Sequence, residues 1–327
     1  MEAPSNPGII CIAGPTGAGK TAAALHLAES LAAEGMGADI INADSRQVYR
    51  DFPVITAQPS AAERAAFPHK LYGWLDSDKK ISAGQWARLA ADAITETLAL
   101  GRVPILVGGT GFYMKSLLDG IAEIPAIPEE ITQSLLAKCD AAGAPVMHVR
   151  LAEIDPAYAS KIHPNDRQRI VRALEVWQST GRTFSWWHEH AMPQTCFKAL
   201  RLGIGLPLKE LTPLLGRRIG LMLENGAVAE AQNALLRCPD RNAPAWSGIG
   251  CMELGAHISG EIGMEECVRL WTANTRAYAK RQWTWFRADK RIRWLRPGEF
   301  GELDRLAFRF LETACGVTGT QPRSVRT

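Results

Sequence analysis

Short apolar runs alternate along the first third of the chain with segments in which small and apolar residues recur at helical intervals. Residues 9–13 (IICIA) are apolar without alternation, as expected of a strand buried on both faces. A glycine-rich turn follows, residues 19–33 carry a helical pattern, and residues 38–44 (ADIINAD) form a second apolar run. After a Pro- and Ala-rich loop over 53–68, residues 83–100 predict a helix of about five turns closed by Gly101. Residues 103–107 (VPILV) predict a third strand, and residues 112–118 a helix behind Gly108-Gly109-Thr110-Gly111. Strands alternating with helices predict an α/β fold with a parallel sheet flanked by helices on both faces.

The pattern breaks at Pro125 and Pro128, and from there to about residue 196 the spacing is helical with almost no strand signal. This predicts an inserted helical subdomain over 122–196, within a core built from 1–121 and 197–327. Residues 199–206 (ALRLGIGL) predict a strand returning to the sheet, and helices resume from Leu208 to about Phe286. Residues 291–295 (RIRWL) predict a last strand, and the tail beyond Val317 is expected to fray.

Composition narrows the function. Of 327 residues 46% are hydrophobic and 22% charged, which excludes wholesale disorder. There is no uninterrupted apolar run of about 18 residues, and residues 1–8 lack a basic start followed by an apolar stretch, so no membrane partner, no signal peptide and a cytoplasmic location are expected. Seven cysteines, an odd number without any C-x-x-C, predict reduced thiols rather than a disulfide framework or a zinc site. The net charge of +3 conceals two unlike halves. Residues 1–160 carry 12 Lys/Arg against 18 Asp/Glu, net −6, and residues 161–327 carry 25 against 16, net +9. Eight of the ten tryptophans also follow residue 160, which raises the prior for a nucleic-acid partner.

The strongest chemical signal is Gly14-Pro15-Thr16-Gly17-Ala18-Gly19-Lys20-Thr21, a G-x-x-x-x-G-K-[ST] loop between an apolar strand and a helix. Glycines let the backbone turn its N–H groups onto a phosphate, Lys20 supplies a mobile positive charge, and the Thr21 hydroxyl offers a ligand to Mg²⁺. A P-loop NTPase-like sheet that binds a di- or triphosphate is therefore expected. A motor-type ATPase needs an acid at the end of the 103–107 strand, and only Gly108-Gly109-Thr110-Gly111 stands there. The carboxylate lies instead after the second strand, in Asp44-Ser45-Arg46-Gln47. On the residues alone, Asp44 serves equally well as a general base or as the N-cap of a helix over 45–49, and Thr110 as the cap of the helix that follows it.

The segments GPTGAGKT, INADSRQVY and LVGGTGFY closely resemble those of the tRNA dimethylallyltransferases, which prenylate N6 of the adenine at position 37, beside the anticodon. Residues 162–176 (IHPNDRQRIVRALEV) and 278–287 (YAKRQWTWFR) are similar to the central and C-terminal motifs of that family, in the same order. The resemblance implies that Gly14 to Thr21 grip the diphosphate of dimethylallyl diphosphate, with Thr21 on Mg²⁺. It implies that Arg218, with Arg217 immediately before it as a confounder, reaches the same group, and that Asp44 is the general base. Contacts to tRNA are implied for Asp44, Ser45, Arg46, Gln47 and Thr110, for Gln168, Arg169, Ile170, Val171 and Arg172, and for Lys280, Arg281 and Gln282. The helical insertion would then meet the anticodon stem-loop, with the enzyme acting as a monomer.

Between 276 and 296 eight Lys/Arg interleave with Tyr278, Trp283, Trp285, Phe286 and Trp294, the mixture that single-stranded RNA binds, although inward-facing core aromatics give the same pattern. The chain departs from the family at Gln58 and Met252, to which no role is assigned, and His188-Glu189-His190 reads as an exposed turn. Three rivals share parts of the pattern: a small-molecule kinase, an adenylate isopentenyltransferase acting on free nucleotides, and a nucleotide-gated RNA-binding protein.

Overall fold

The computed structural model describes residues 8–122, 124–190 and 197–315. From the amino end, β1 (Gly8–Ala13) leads through the glycine loop into α1 (Lys20–Ala33) and β2 (Ala38–Asn42). The short α2 (Ala61–Ala66) and β3 (His69–Lys70) come next, then α3 (Ala83–Ala99), β4 (Val103–Gly108) and α4 (Gly111–Leu118). A helical stretch follows, α5 (Glu129–Ala142), α6 (Ala144–Ile154), α7 (Pro156–Ala159), α8 (Arg167–Thr180) and α9 (Phe184–Glu189). The chain then returns through β5 (Lys198–Ile204), α10 (Leu208–Glu224), α11 (Ala227–Arg237), α12 (Cys251–Ile258), α13 (Met264–Ala288), β6 (Arg293–Leu295) and α14 (Phe300–Cys315).

The six strands form one sheet in the order β3-β2-β4-β1-β5-β6, every pair parallel. Every residue of β1, β2 and β4 is buried, which is why those strands read as unbroken apolar runs. Ile10, Ile12, Ile40 and Ile105 pack on one face with Leu27 and Leu31 of α1 and Leu303 and Leu311 of α14. Ile9, Cys11, Ile41 and Leu106 pack on the other with Trp86, Ile94, Tyr113 and Phe286. Trp86 stacks on Tyr113 at 4.3 Å and donates its indole N–H to the Asn42 carbonyl at 3.2 Å, which pins α3 and α4 against the end of β2. Ala13 stands opposite both Gly108 and Gly203, so the loops leaving β1, β4 and β5 emerge together at the carboxyl ends of the strands, where ligands bind in open α/β sheets.

Two compact units divide the chain, one from the described residues of Met1–Leu118 and Thr195–Thr327, the other from those of Asp119–Gln194. The second has its own core, with Leu135, Met147, Leu151, Ile170, Val171 and Leu174 buried together. Inside it the buried Glu175 is held by Arg172 and by the Thr132 hydroxyl, and Asp155 accepts from the N–H groups of Tyr158 and Ser185.

Three elements depart from the pattern. The 53–68 loop contains α2, whose Ser60 and Glu63 form a capping box, and leads directly into β3. No helix forms over 45–49. Helix α14, absent from the sequence reading, is fastened to α1 by His26, whose Nε2 lies 2.9 Å from Asp304 Oδ2 while its ring stacks on Phe300. The expected fraying beyond Val317 lies outside the described residues. Among the described residues no helix is long and apolar enough to cross a membrane, and Cys11, Cys139, Cys251 and Cys267 are free and buried.

Candidate functional site

The loop after β1 takes the conformation its glycines require. A Cβ at Gly14 would lie 2.1 Å from the Ile204 carbonyl oxygen, and Gly19 opens α1 at φ 87°, a left-handed position. Helix α1 thus presents its N-terminal N–H groups and the positive end of its dipole beside the loop. Lys20 donates from Nζ to the Pro15 carbonyl at 2.9 Å. Burial drives its ammonium from the ordinary 10.5 to about 8, with Asp44 opposing that shift and Arg218 reinforcing it. The Arg218 guanidinium is lowered by burial as well, again against the opposing pull of Asp44. Two partly desolvated cations that share one carboxylate favour a further anion at this place.

Asp44 stands just beyond β2, held by its own strand end. Its N–H donates to Asn42 Oδ1 at 2.8 Å, and Asn42 Nδ2 donates to the carbonyls of Asp44 and Leu71, both at 3.0 Å. Asp44 Oδ1 accepts from the Arg46 N–H at 2.9 Å, an Asx turn that replaces the helix cap allowed by the sequence. The other oxygen, Oδ2, lies against Gly109, where a Cβ would approach it to 3.1 Å. Thr110 is turned toward the same loop rather than capping α4. Its Oγ1 accepts from the Ser45 N–H at 2.9 Å and donates to Ser45 Oγ at 3.1 Å. Tyr278 also bonds Thr110, and burial together with the Asp44 charge pushes its phenol up to about 12, so it remains a neutral donor.

Of the residues after Asp44, Arg46 reaches the carbonyls of Ala245 and Pro244 and lies 5.0 Å over the Tyr49 ring. Gln47 donates to the carbonyls of Thr56 and Ala57 at 3.0 and 2.7 Å. Both side chains therefore hold neighbouring loops in place. Gln58, which departs from the family pattern, donates to the Tyr49 carbonyl at 2.7 Å, and Met252 is exposed.

A cavity of about 300 Å³ opens between these groups. Its polar lining includes Thr16, Asp44, Ser45, Arg46, Arg218, Tyr278 and Arg281, and Ile55, Ile219, Met222, Ile249 and Trp271 form its apolar wall. The two adjacent arginines part here: Arg218 lines the cavity and Arg217 is exposed. The signal was present in the helical phase. Leu211, Leu215, Ile219 and Met222 form the buried stripe of α10, and Arg218 lies on the edge of that stripe while Arg217 is about 100° further round. The apolar wall escaped sequence reasoning because those residues are also ordinary core positions.

Lys280 and Arg281 are exposed on α13. Gln282 is different, being only 4% exposed, with Oε1 accepting from the Thr16 N–H and Nε2 donating to the Gly109 carbonyl, both at 2.9 Å. The aromatics of this region divide. Phe286 is core, and Trp283 stacks obliquely on Trp294 at 4.6 Å beside Gly205. Trp285 is 44% exposed and meets the exposed Phe112 edge-on. In the helical unit, Gln168, Arg169 and Arg172 are exposed along α8, whereas Ile170 and Val171 are buried beneath them and hold that helix in its core. Among the described residues no group of His, Cys, Asp and Glu is arranged to hold a metal by itself, His188 and His190 included.

Comparison with known proteins places the chain. The IPP transferase family model matches residues 47–289. A tRNA dimethylallyltransferase of Nitratidesulfovibrio vulgaris (strain DSM 19637 / Miyazaki F) is 56% identical over 323 residues, covering 94% of each chain. The crystal structure of a full-length tRNA isopentenylpyrophosphate transferase from Bacillus halodurans is 30% identical with a TM-score of 0.69, covering 95% of this chain and 99% of that one. That of a eukaryotic dimethylallyltransferase acting on tRNA is 26% identical with a TM-score of 0.78, covering 97% of this chain and 82% of the other.

Proposed function

The chain belongs to the IPP transferase family and carries tRNA dimethylallyltransferase activity, and we propose that the cavity beside Asp44 is where a dimethylallyl group passes from dimethylallyl diphosphate to N6 of adenine 37 in the tRNA anticodon loop. One observation carries this reading: Asp44, with Oδ2 turned toward Gly109, lines the same cavity as Thr16 of the glycine loop and as Arg218.

In this reading the residues from Gly14 to Thr21 hold the diphosphate as a leaving group. The allylic C–O bond breaks with its electron pair passing to the diphosphate, and the loop N–H groups, Lys20 and Arg218 stabilise the charge that develops there. The acceptor amine is a weak nucleophile because its lone pair is delocalised into the purine. Asp44 takes the proton that N6 loses as the new N–C bond forms. Thr110 and Tyr278, tied together beside Asp44, shape the acceptor side, and the apolar wall around Trp271 and Met222 suits a base and a prenyl chain better than water.

Mg²⁺ fits the donor set: one hydroxyl, Thr21 at the start of α1, next to a site for diphosphate oxygens, without a cage of carboxylates, matches the way Mg²⁺ is shared between a protein and a substrate phosphate. When bound, Mg²⁺ adds positive charge to the leaving diphosphate. Extruding the adenine from its stack is the acceptor's share of the cost, offset by stacking and by backbone contacts. For those contacts we assign Lys280 and Arg281 on α13, Ser45 and Arg46 at the cavity rim, and Gln168, Arg169 and Arg172 on the helical insertion, taken as 122–196, with the cytoplasm as the site of action.

Labelled dimethylallyl diphosphate, Mg²⁺ and either unmodified tRNA or AMP test this directly. Label is expected in tRNA alone. Label in AMP would identify an adenylate isopentenyltransferase, and label in neither would defeat the scheme. Asp44→Asn should lower turnover by about 10² to 10⁴-fold while tRNA still binds; normal turnover by that variant removes Asp44 from the base role.

A further inference from the structure

We propose that Gln282 is a positioning residue that sets the spacing between the diphosphate loop and the acceptor carboxylate. The residue sits behind the cavity, buried and outside its lining, with both ends of its carboxamide engaged. Oε1 accepts from Thr16 in the loop after β1, and Nε2 donates to Gly109 in the loop after β4. Rotating the amide by half a turn would set N–H against N–H and oxygen against oxygen, so only one orientation satisfies both partners.

Each partner leads to one reactant. Thr16 belongs to the loop that holds the donor, and its N–H, engaged by Gln282, is not among the groups left for phosphate. Gly109 packs on Asp44 Oδ2, and the next residue ties itself to the same loop through Thr110 N–H to the Ala43 carbonyl at 3.2 Å and Ser45 N–H to Thr110 Oγ1. Among the described backbone hydrogen bonds none joins the residues 14–19 directly to 108–111, and the Gln282 amide provides a polar link across that gap. Gly109 is fitted to it: a Cβ there would come within 2.2 Å of Gln282 Nε2.

Displacement at the allylic carbon requires the attacking nitrogen, that carbon and the leaving oxygen in line, and a misplacement of about 1 Å can cost about 10²-fold in rate. A rigid strut between donor loop and base is therefore expected to act on turnover more than on binding. The inference rests on the donor and acceptor roles proposed above for the two loops. It differs from the tRNA contact that the family resemblance implies for Gln282, because the side chain is sealed from the surface.

The test uses the intact enzyme with dimethylallyl diphosphate, Mg²⁺ and an unmodified anticodon stem-loop. Gln282→Met keeps the volume and loses both bonds; it should lower kcat by about 30- to 100-fold with KM for each substrate within about threefold of wild type. Gln282→Glu keeps the acceptor and regains a donor toward Gly109 only when protonated, and burial beside a carbonyl raises such a carboxyl. Its activity relative to wild type should therefore be low at pH 8 and climb toward pH 6. Wild type and Asp44→Asn run alongside report separately on the underlying roles. A raised KM for the stem-loop with kcat retained would make Gln282 an RNA contact, and a Gln282→Glu deficit equal at both pH values would leave no strut; either result overturns the inference.

Discussion

Lys20 gives the charge arrangement its sharpest test. Burial holds its ammonium at about 8 rather than 10.5. That gap is worth roughly 3 kcal/mol against the charged form, at about 1.4 kcal/mol per pH unit. A bound diphosphate removes most of the penalty by adding negative charge within reach, so binding and protonation are linked. Because kcat/KM reports ionisations of the free enzyme, kcat/KM for dimethylallyl diphosphate should be level from pH 7 to about 8 and then fall, approaching tenfold per pH unit. The last ionisation of a phosphate lies near 6, below this window. Turnover at saturation should stay level over the same range, since the complex keeps its ammonium charged. Lys20→Arg, which cannot lose its proton, should abolish the break even if its rate is lower. In Asp44→Asn, read by direct binding because it turns over poorly, the break should move to lower pH, the opposing carboxylate having been removed. The folding linkage has the opposite sense: between about 8 and 10.5 the unfolded chain binds more protons at this residue, so the free enzyme gains stability there as pH rises while donor affinity falls. A kcat/KM that is level to pH 9.5, or a break that survives in Lys20→Arg, refutes the reasoning.

Arg218→Ala should cost about 10² in kcat/KM for dimethylallyl diphosphate, the scale of one lost transition-state donor, whereas Arg217→Ala should remain within about twofold; steady-state kinetics on both variants would expose a reversed order. Thr21→Val should raise the Mg²⁺ concentration needed for half-maximal rate without changing KM for tRNA, and chelation with EDTA should silence the wild type; a rate indifferent to EDTA counts against the metal. Arg102→Ala strips the buried Asp39 carboxylate, 1% exposed, of its guanidinium partner and leaves it to Lys70 and the Thr97 hydroxyl. Thermal unfolding should report a loss of about 2–3 kcal/mol with kcat unchanged, somewhat below the usual cost of breaking a buried pair because partners remain; an unshifted melting temperature would show the pair to be dispensable.

The sheet was legible because burial on both faces writes itself as unbroken apolar runs. Residues 9–13 and 103–107 and the return at 199–206 all lie within a residue or two of β1, β4 and β5. What escaped has a physical reason in each case. β3 is two half-buried residues with no pattern of its own, and it is a strand only because β2 lies alongside. Helix α14 has one strongly apolar face but follows a short edge strand, so nothing local announces that it packs back on α1. The Asp44 turn was hidden because an Asx turn and a helix cap use the same residue types. In the fold the Asn42 side chain braces Asp44 from two positions before it, and Asp44 in turn accepts from the Arg46 N–H.

At the candidate site, the sequence points to residue types and not to the direction in which each side chain is turned. The glycine loop and Asp44 stand out by their motifs, whereas the surroundings of Arg217 and Arg218, or of Lys280, Arg281 and Gln282, depend on which way one helix turns each of them. On α13 successive residues lie about 100° apart, so three neighbours divide between an exposed cation, a cavity-lining cation and a buried strut. The same rotation sorts the basic surplus of the second half. Arg201 and Arg291 pair with Asp289, and Arg296 pairs with Glu210, so these cations are engaged by the protein itself. Lys280 and Arg281 are exposed on α13 one turn before the exposed Trp285, with Arg281 at the cavity and over the Tyr278 ring. The net +9 of residues 161–327 therefore overstates the charge available to RNA, and the proposed contacts Lys280 and Arg281 lie outside these ion pairs, with Arg281 at the cavity that Asp44 lines.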